Sequence, residues 1–134
     1  MTRIALAPAL IATALIAAVT AGAASAQIKP PIDPSATTFA GWVRVSHGEF
    51  QLYETQRQIS EPFSRPCISG ALPRNLQRAS GDISGQQVTF TGKAVAWAER
   101  GTRTTLNHQG SRIVNECGGD YVIAAESVRV LRAG

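Results

Sequence analysis

Hydrophobic and polar positions alternate most regularly in "GWVRVSHGEFQLYE", Gly41 to Glu54, where two period-two runs flank His47 and Gly48. Alternation sends successive side chains to opposite faces of a strand, and glycine in the second turn position accepts a positive φ. The stretch therefore predicts a tight β-hairpin. Counting outward from the turn pairs Ser46 with Glu49, Val45 with Phe50, Arg44 with Gln51, Val43 with Leu52 and Trp42 with Tyr53. Val43, Val45, Phe50 and Leu52 then share an inward face, and Trp42, Arg44, Gln51 and Tyr53 the opposite one.

A second strand pattern, "VTFTGKAVAW", starts with large apolar residues at Val88 and Phe90 and ends with them at Val95 and Trp97, so the apolar phase changes from even to odd. This predicts a bent strand with a bulge at Gly92, where the absence of a side chain removes the clash a bend would otherwise create. Such a strand can serve both halves of a small barrel. "RGTRTTL", "SRIVNE" and "YVIAAESVRVL" predict further strands, and in the last of them Val128 and Val130 alternate around Arg129 as on a strand with one wet face. Leu72, Leu76 and Ala79 have helical spacing behind Pro73, which predicts a short helix over 73–79. The polar, proline-punctuated run from Thr55 to Cys67 reads as a loop with Phe63 pinned to the core, and "SGDISGQQ" as a turn.

The glycine-interrupted "VTFTGKAVAW", the strands after it and the closing "YVIAAESVRVL" together resemble the strand pattern of OB-fold domains over Gln86 to Leu131. The resemblance implies a mainly β fold: a small closed or partly open antiparallel β-barrel with one short helix. The first hairpin departs from the simplest version of that fold by adding strands before the bent one. Barrels of this kind bind oligonucleotides, oligosaccharides, peptides or small ligands on one strand face and its bordering loops, so the likeness implies a binding role without naming a ligand.

The first twenty-six residues change the picture by setting the compartment. Arg3, the apolar run "IALAPALIATALIAAV" and the small-residue site "ASAQ" predict a signal peptide (1–26) cleaved after Ala26. A retained anchor over Ile4 to Ala24 is the competing reading. Cleavage leaves 108 residues: a proline-rich tether over 27–38 and one domain over 39–134, with no membrane span. Cys67 and Cys117 both lie in this part, and export to an oxidising compartment, periplasmic or extracellular, predicts that they pair. Twelve Lys and Arg against nine Asp and Glu give the mature chain a net charge of +3, a mild bias toward acidic partners.

Candidate chemistry is sparse. A groove that stacks a ligand on aromatic rings beside positive charge could draw on Trp42, Arg44, Tyr53, Arg100 and Arg103, provided that they converge and are exposed. Against it stands Trp97 as core, and Trp42 with Tyr53 as a cross-strand packing pair. His47 in the hairpin turn and His108 in "NHQG" read as turn residues in water, with no partner at metal-ligand spacing. Glu49 and Glu54 cannot face the same side of one flat strand. No nucleophile elbow or phosphate loop is present, so the expectation is a non-enzymatic protein with no metal or cofactor. Two readings follow: a binding module for an acidic or polymeric envelope ligand, or a structural protein of the envelope that holds a partner protein. Export argues against intracellular nucleic acid as a ligand.

Overall fold

The computed structural model describes residues 25–27, 32–61 and 64–132; the predicted place of Phe63 and most of the predicted leader lie outside these residues. Among the described residues eight strands and one helix run in the order β1 (Ser25–Gln27), β2 (Thr38–Ser46), β3 (Glu49–Tyr53), β4 (Cys67–Ala71), α1 (Arg74–Ser80), β5 (Gln87–Ala96), β6 (Leu106–His108), β7 (Ser111–Ile113) and β8 (Tyr121–Arg132). Five of them, in the order β2-β3-β4-β8-β5 and back to β2, close a barrel. Each pairing around it is antiparallel except β4 with β8, which is parallel. The barrel is thus closed but not wholly antiparallel. The hairpin adds nothing ahead of the barrel, because β2 and β3 are its first two strands. β1 pairs in parallel with Thr38–Ala40 of β2, so cleavage after Ala26 would remove two of its residues.

The hairpin has the register counted from its turn, from Ser46↔Glu49 to Trp42↔Tyr53. His47 and Gly48 take φ 55° and 81°, the paired positive values of a type I′ turn, whose twist suits the strands it joins. Val43, Phe50 and Leu52 enter the main core with Phe39, Ile68, Val88, Phe90 and Ile123. The Phe50 and Phe90 rings stack at 3.9 Å between centroids. Val45 faces inward at the barrel mouth and stays partly exposed. Ile32 and Ala36, in the proline-rich approach to β2, are buried in the same core.

The change of phase belongs to a different strand from the expected one. Val88, Phe90 and Ala94 all pack on the main core, so β5 keeps its even positions inward throughout. Val95 and Trp97 lie on the outer face, against a second cluster formed by Ala71, Ile113 and Val122 with Leu106. The upper half of β5 therefore packs apolar side chains on both faces, Ala94 inside and Val95 outside against the cluster that Leu106 and Ile113 of the β6–β7 hairpin join, and apolar alternation is lost for that reason. The parity change is in β8: Ile123 and Ala125 point into the core, and so does Val128. Between the pairs Gly92↔Ala125 and Thr91↔Ser127, β8 carries one residue more than β5, and that residue is Glu126. Glu126 is the bulge, on the strand opposite Gly92. Gly92 itself is required by proximity, since a Cβ there would collide with the Ala124 carbonyl and stand 2.8 Å from Ala125 Cα.

Other elements differ by shorter distances. The helix runs one residue later than its spacing indicated, with Pro73 as its N-cap. The loop after β3 contains a 3-10 turn, Gln56–Ser60, opened by a reciprocal cap between Thr55 and Gln58. Of "RGTRTTL" only Leu106 is strand; Trp97–Arg100 form another 3-10 turn, and β7 ends at Ile113. Gly92→Ala is expected to lower stability by about 1–3 kcal/mol, the range for forcing atoms into filled space. Thr91→Ala, on the exposed neighbour, should leave the denaturation midpoint nearly unchanged, and urea unfolding of the two variants checks both.

Candidate functional site

The outer face of β2, β3 and β4 is the surface on which most of the candidate residues fall. Alternation along β3 sends Glu49, Gln51 and Tyr53 to that face, and the register sets Gln51 between Arg44 of β2 and Ser69 of β4. This face is covered. Trp42 is 8% exposed and Tyr53 fully buried, so neither offers a ring for stacking. Tyr53 packs against Cys67 and Cys117, which are bonded to each other with their Cα atoms 5.7 Å apart. Arg44 is half-buried, and its Nη1 donates to the Ile59 carbonyl in the 3-10 turn at 3.1 Å.

The cover over β3 and β4 is the chain's own segment 114–117. The Glu49 carboxylate accepts backbone N–H bonds from Val114 and, at 3.0 and 2.9 Å, from Asn115 and Glu116. Three successive amides converge because Asn115 takes φ 67°, which curls the chain into a concave anion nest. Ser69 Oγ then accepts from the Cys117 amide at 3.0 Å. Glu49 is 1% exposed. A carboxylate is tolerated there because three N–H groups replace its water, and its charge makes each bond stronger than a neutral one. Gln51, beside it, is fully buried with neither Oε1 nor Nε2 bonded.

The remaining candidates lie elsewhere. Arg100 stacks over Trp97 at 4.3 Å and donates to that residue's carbonyl, while Arg103 stands exposed in the turn beyond. Trp97, expected in the core, is half-buried and packs outside the barrel against the second cluster. The five residues do not form one exposed groove: three are on the covered face of β2 and β3, two in the turns after β5. His47 is exposed, as expected of a turn residue. His108 is not; it is buried, and its Nε2–H donates to the Ala125 carbonyl at 2.7 Å, one residue before the bulge. The neighbouring Gln109 amide reaches the Glu126 carboxylate at 3.1 Å. Nothing in "NHQG" signalled this, because the partner is a main-chain atom of a distant strand.

Two further surfaces stand out. A cleft of about 200 Å³ lies between the hairpin turn and α1, lined by Val45, Phe50, Leu72, Ile83, Gln77 and Ser80. The other is the end of β8. Residues from Ser127 onward pair with β5 on one side, and among the described residues nothing pairs with their other side. Val130 and Leu131 there are 47% and 49% exposed. Among the described residues no group of three or more His, Cys, Asp or Glu could hold a metal ion, and no helix is long and apolar enough to cross a membrane.

In comparisons with known proteins, no family model, no curated protein and no solved structure matches the chain. Glu49→Ala should cost about 2–4 kcal/mol, since it strands three amides that water cannot fully reach. Glu54→Ala, on an exposed side chain, should leave stability unchanged, and thermal and urea unfolding of both variants measure the contrast.

Proposed function

We propose that the chain is a secreted or periplasmic, non-enzymatic binding module on an OB-like barrel, and that its partner is a protein engaged at the free edge of β8. The topology supports the fold assignment. Numbered within the barrel, the strands close in the order 1-2-3-5-4, strands 3 and 5 are parallel, and the helix lies between strands 3 and 4, as in OB-folds. The disulfide accords with an oxidising compartment. The buried carboxylate and the buried imidazole among the described residues, Glu49 and His108, are taken up by main-chain hydrogen bonds.

One observation favours a protein partner over a stacked ligand. The aromatic residues that would stack a base or sugar are buried, whereas the end of β8 combines a backbone edge unpaired among the described residues with exposed Val130 and Leu131. An unpaired edge presents a row of N–H and C=O groups that another strand can complete, and flanking apolar side chains add contact area. Arg129, exposed between Val128 and Val130, discourages promiscuous edge-to-edge pairing without blocking a matched partner.

A photo-crosslinking residue placed at position 130 is expected to capture one discrete envelope protein, and the same residue at position 103 none. Val130→Lys should weaken the purified pair at least tenfold, about 1.4 kcal/mol. Adducts at position 103 and none at 130 would return the reading to an arginine-lined groove.

A further inference from the structure

Apart from the disulfide at Cys117, segment 114–117 is hydrogen-bonded to the barrel through its backbone. Glu49 takes the amides of Val114, Asn115 and Glu116, and Ser69 takes that of Cys117. The segment's own side chains contribute little to this recognition. Val114 is half exposed, and Asn115 turns inward on the segment itself, donating to the Gly119 carbonyl and accepting from the Gly118 amide. Only Cys117 is anchored by its side chain, through the bond to Cys67. A face that reads main-chain N–H groups is indifferent to most of the sequence carrying them. Beneath it, Gln51 is fully buried with both amide atoms unpaired, a donor and an acceptor that the present occupant does not use.

We propose that the outer face of β3 and β4 is a peptide-binding strip, that residues 114–117 are its tethered resident occupant, and that a segment of a partner protein able to take the same curled, positive-φ conformation replaces them once the disulfide is reduced. Reduction is the necessary step because the segment is fixed at both ends, by fully buried Ile113 and Cys117. The reductant is a dithiol: it transfers two electrons and two protons, the Sγ–Sγ bond breaks, Cys67 and Cys117 become thiols, and the dithiol closes to its own disulfide. The incoming segment must offer successive N–H groups to Glu49 and an amide to Gln51. Because the Glu49 carboxylate is the group that receives the amides, an acidic side chain beside them is disfavoured. This strip is separate from the β8 edge, and either can fail without the other.

The test compares the full mature chain, oxidised and after dithiothreitol, by amide hydrogen exchange and by titration with a capped peptide of residues 112–119 carrying Cys117→Ser. The expected result is that reduction speeds exchange of the amides of 114–116 by roughly 100-fold or more while Val43 and Leu52 stay protected. The peptide then binds the reduced protein only, moves the Gln51 side-chain amide signals, and binds at least tenfold more weakly to Glu49→Gln. Unchanged protection of 114–116 after reduction overturns the proposal. So does an open segment that the peptide does not replace, or unfolding of the barrel on reduction, since exchange of occupants needs a standing barrel.

Discussion

The close approach of β5 and β8 at Gly92 is the constraint on which the rest of the barrel depends. A five-stranded barrel has a narrow interior, and its two longest strands must bend sharply to enclose it. Here the bend is made where Gly92 lies against the Ala124–Ala125 backbone and β8 spends Glu126 as an extra residue. The bulge lets Ile123 and Ala125 point inward above it and Val128 point inward below it. Without it, one half of β8 would present its polar side to Phe39, Phe50 and Phe90.

Polar side chains do the fastening outside the ladder. Glu49 collects the amides of 114–116, His108 takes the Ala125 carbonyl, and the Gln77 amide reaches the Gly48 and Leu72 carbonyls and Ser111 Oγ. Each satisfies main-chain groups that irregular backbone would otherwise bury unpaired, a loss costing about 1–3 kcal/mol apiece. This ties the fold to the functional reading. Glu49 and His108 are structural ligands of the chain itself, and Tyr53 is packed beneath Cys117 of the loop that Glu49 holds. What remains for a partner is an edge, or a face whose cover must first be released.

The hairpin was legible because its information is local: a turn that needs positive φ, and a register that follows by counting from His47 and Gly48. The disulfide and the barrel class were legible from compartment and strand spacing. The bulge was misplaced because apolar alternation reports which residues are buried, not which core buries them. Val95 and Trp97 are partly buried against a cluster that includes Ile113 and Leu106 of the β6–β7 hairpin, an element that pattern alone does not place. In β8, the unbroken run Val122–Ala125 conceals parity, and Val122, Val128 and Val130 share even numbers although Val122 faces the outer cluster. The pairing of Trp42 with Tyr53 was legible from the register; that Tyr53 is fully buried was not, because its cover includes Cys117, fifty residues on from Cys67.

The account rests most heavily on Glu126 as an inserted residue whose presence, more than its chemistry, shifts the phase of β8. Deleting Glu126 tests this directly against Glu126→Ala, with urea unfolding followed by tryptophan fluorescence. The expected result is a cooperative transition close to the parent's for Glu126→Ala and its loss in the deletion, which turns Val128 outward or pulls the strand past Gly92. A deletion variant that unfolds cooperatively at the parent's midpoint would contradict the account.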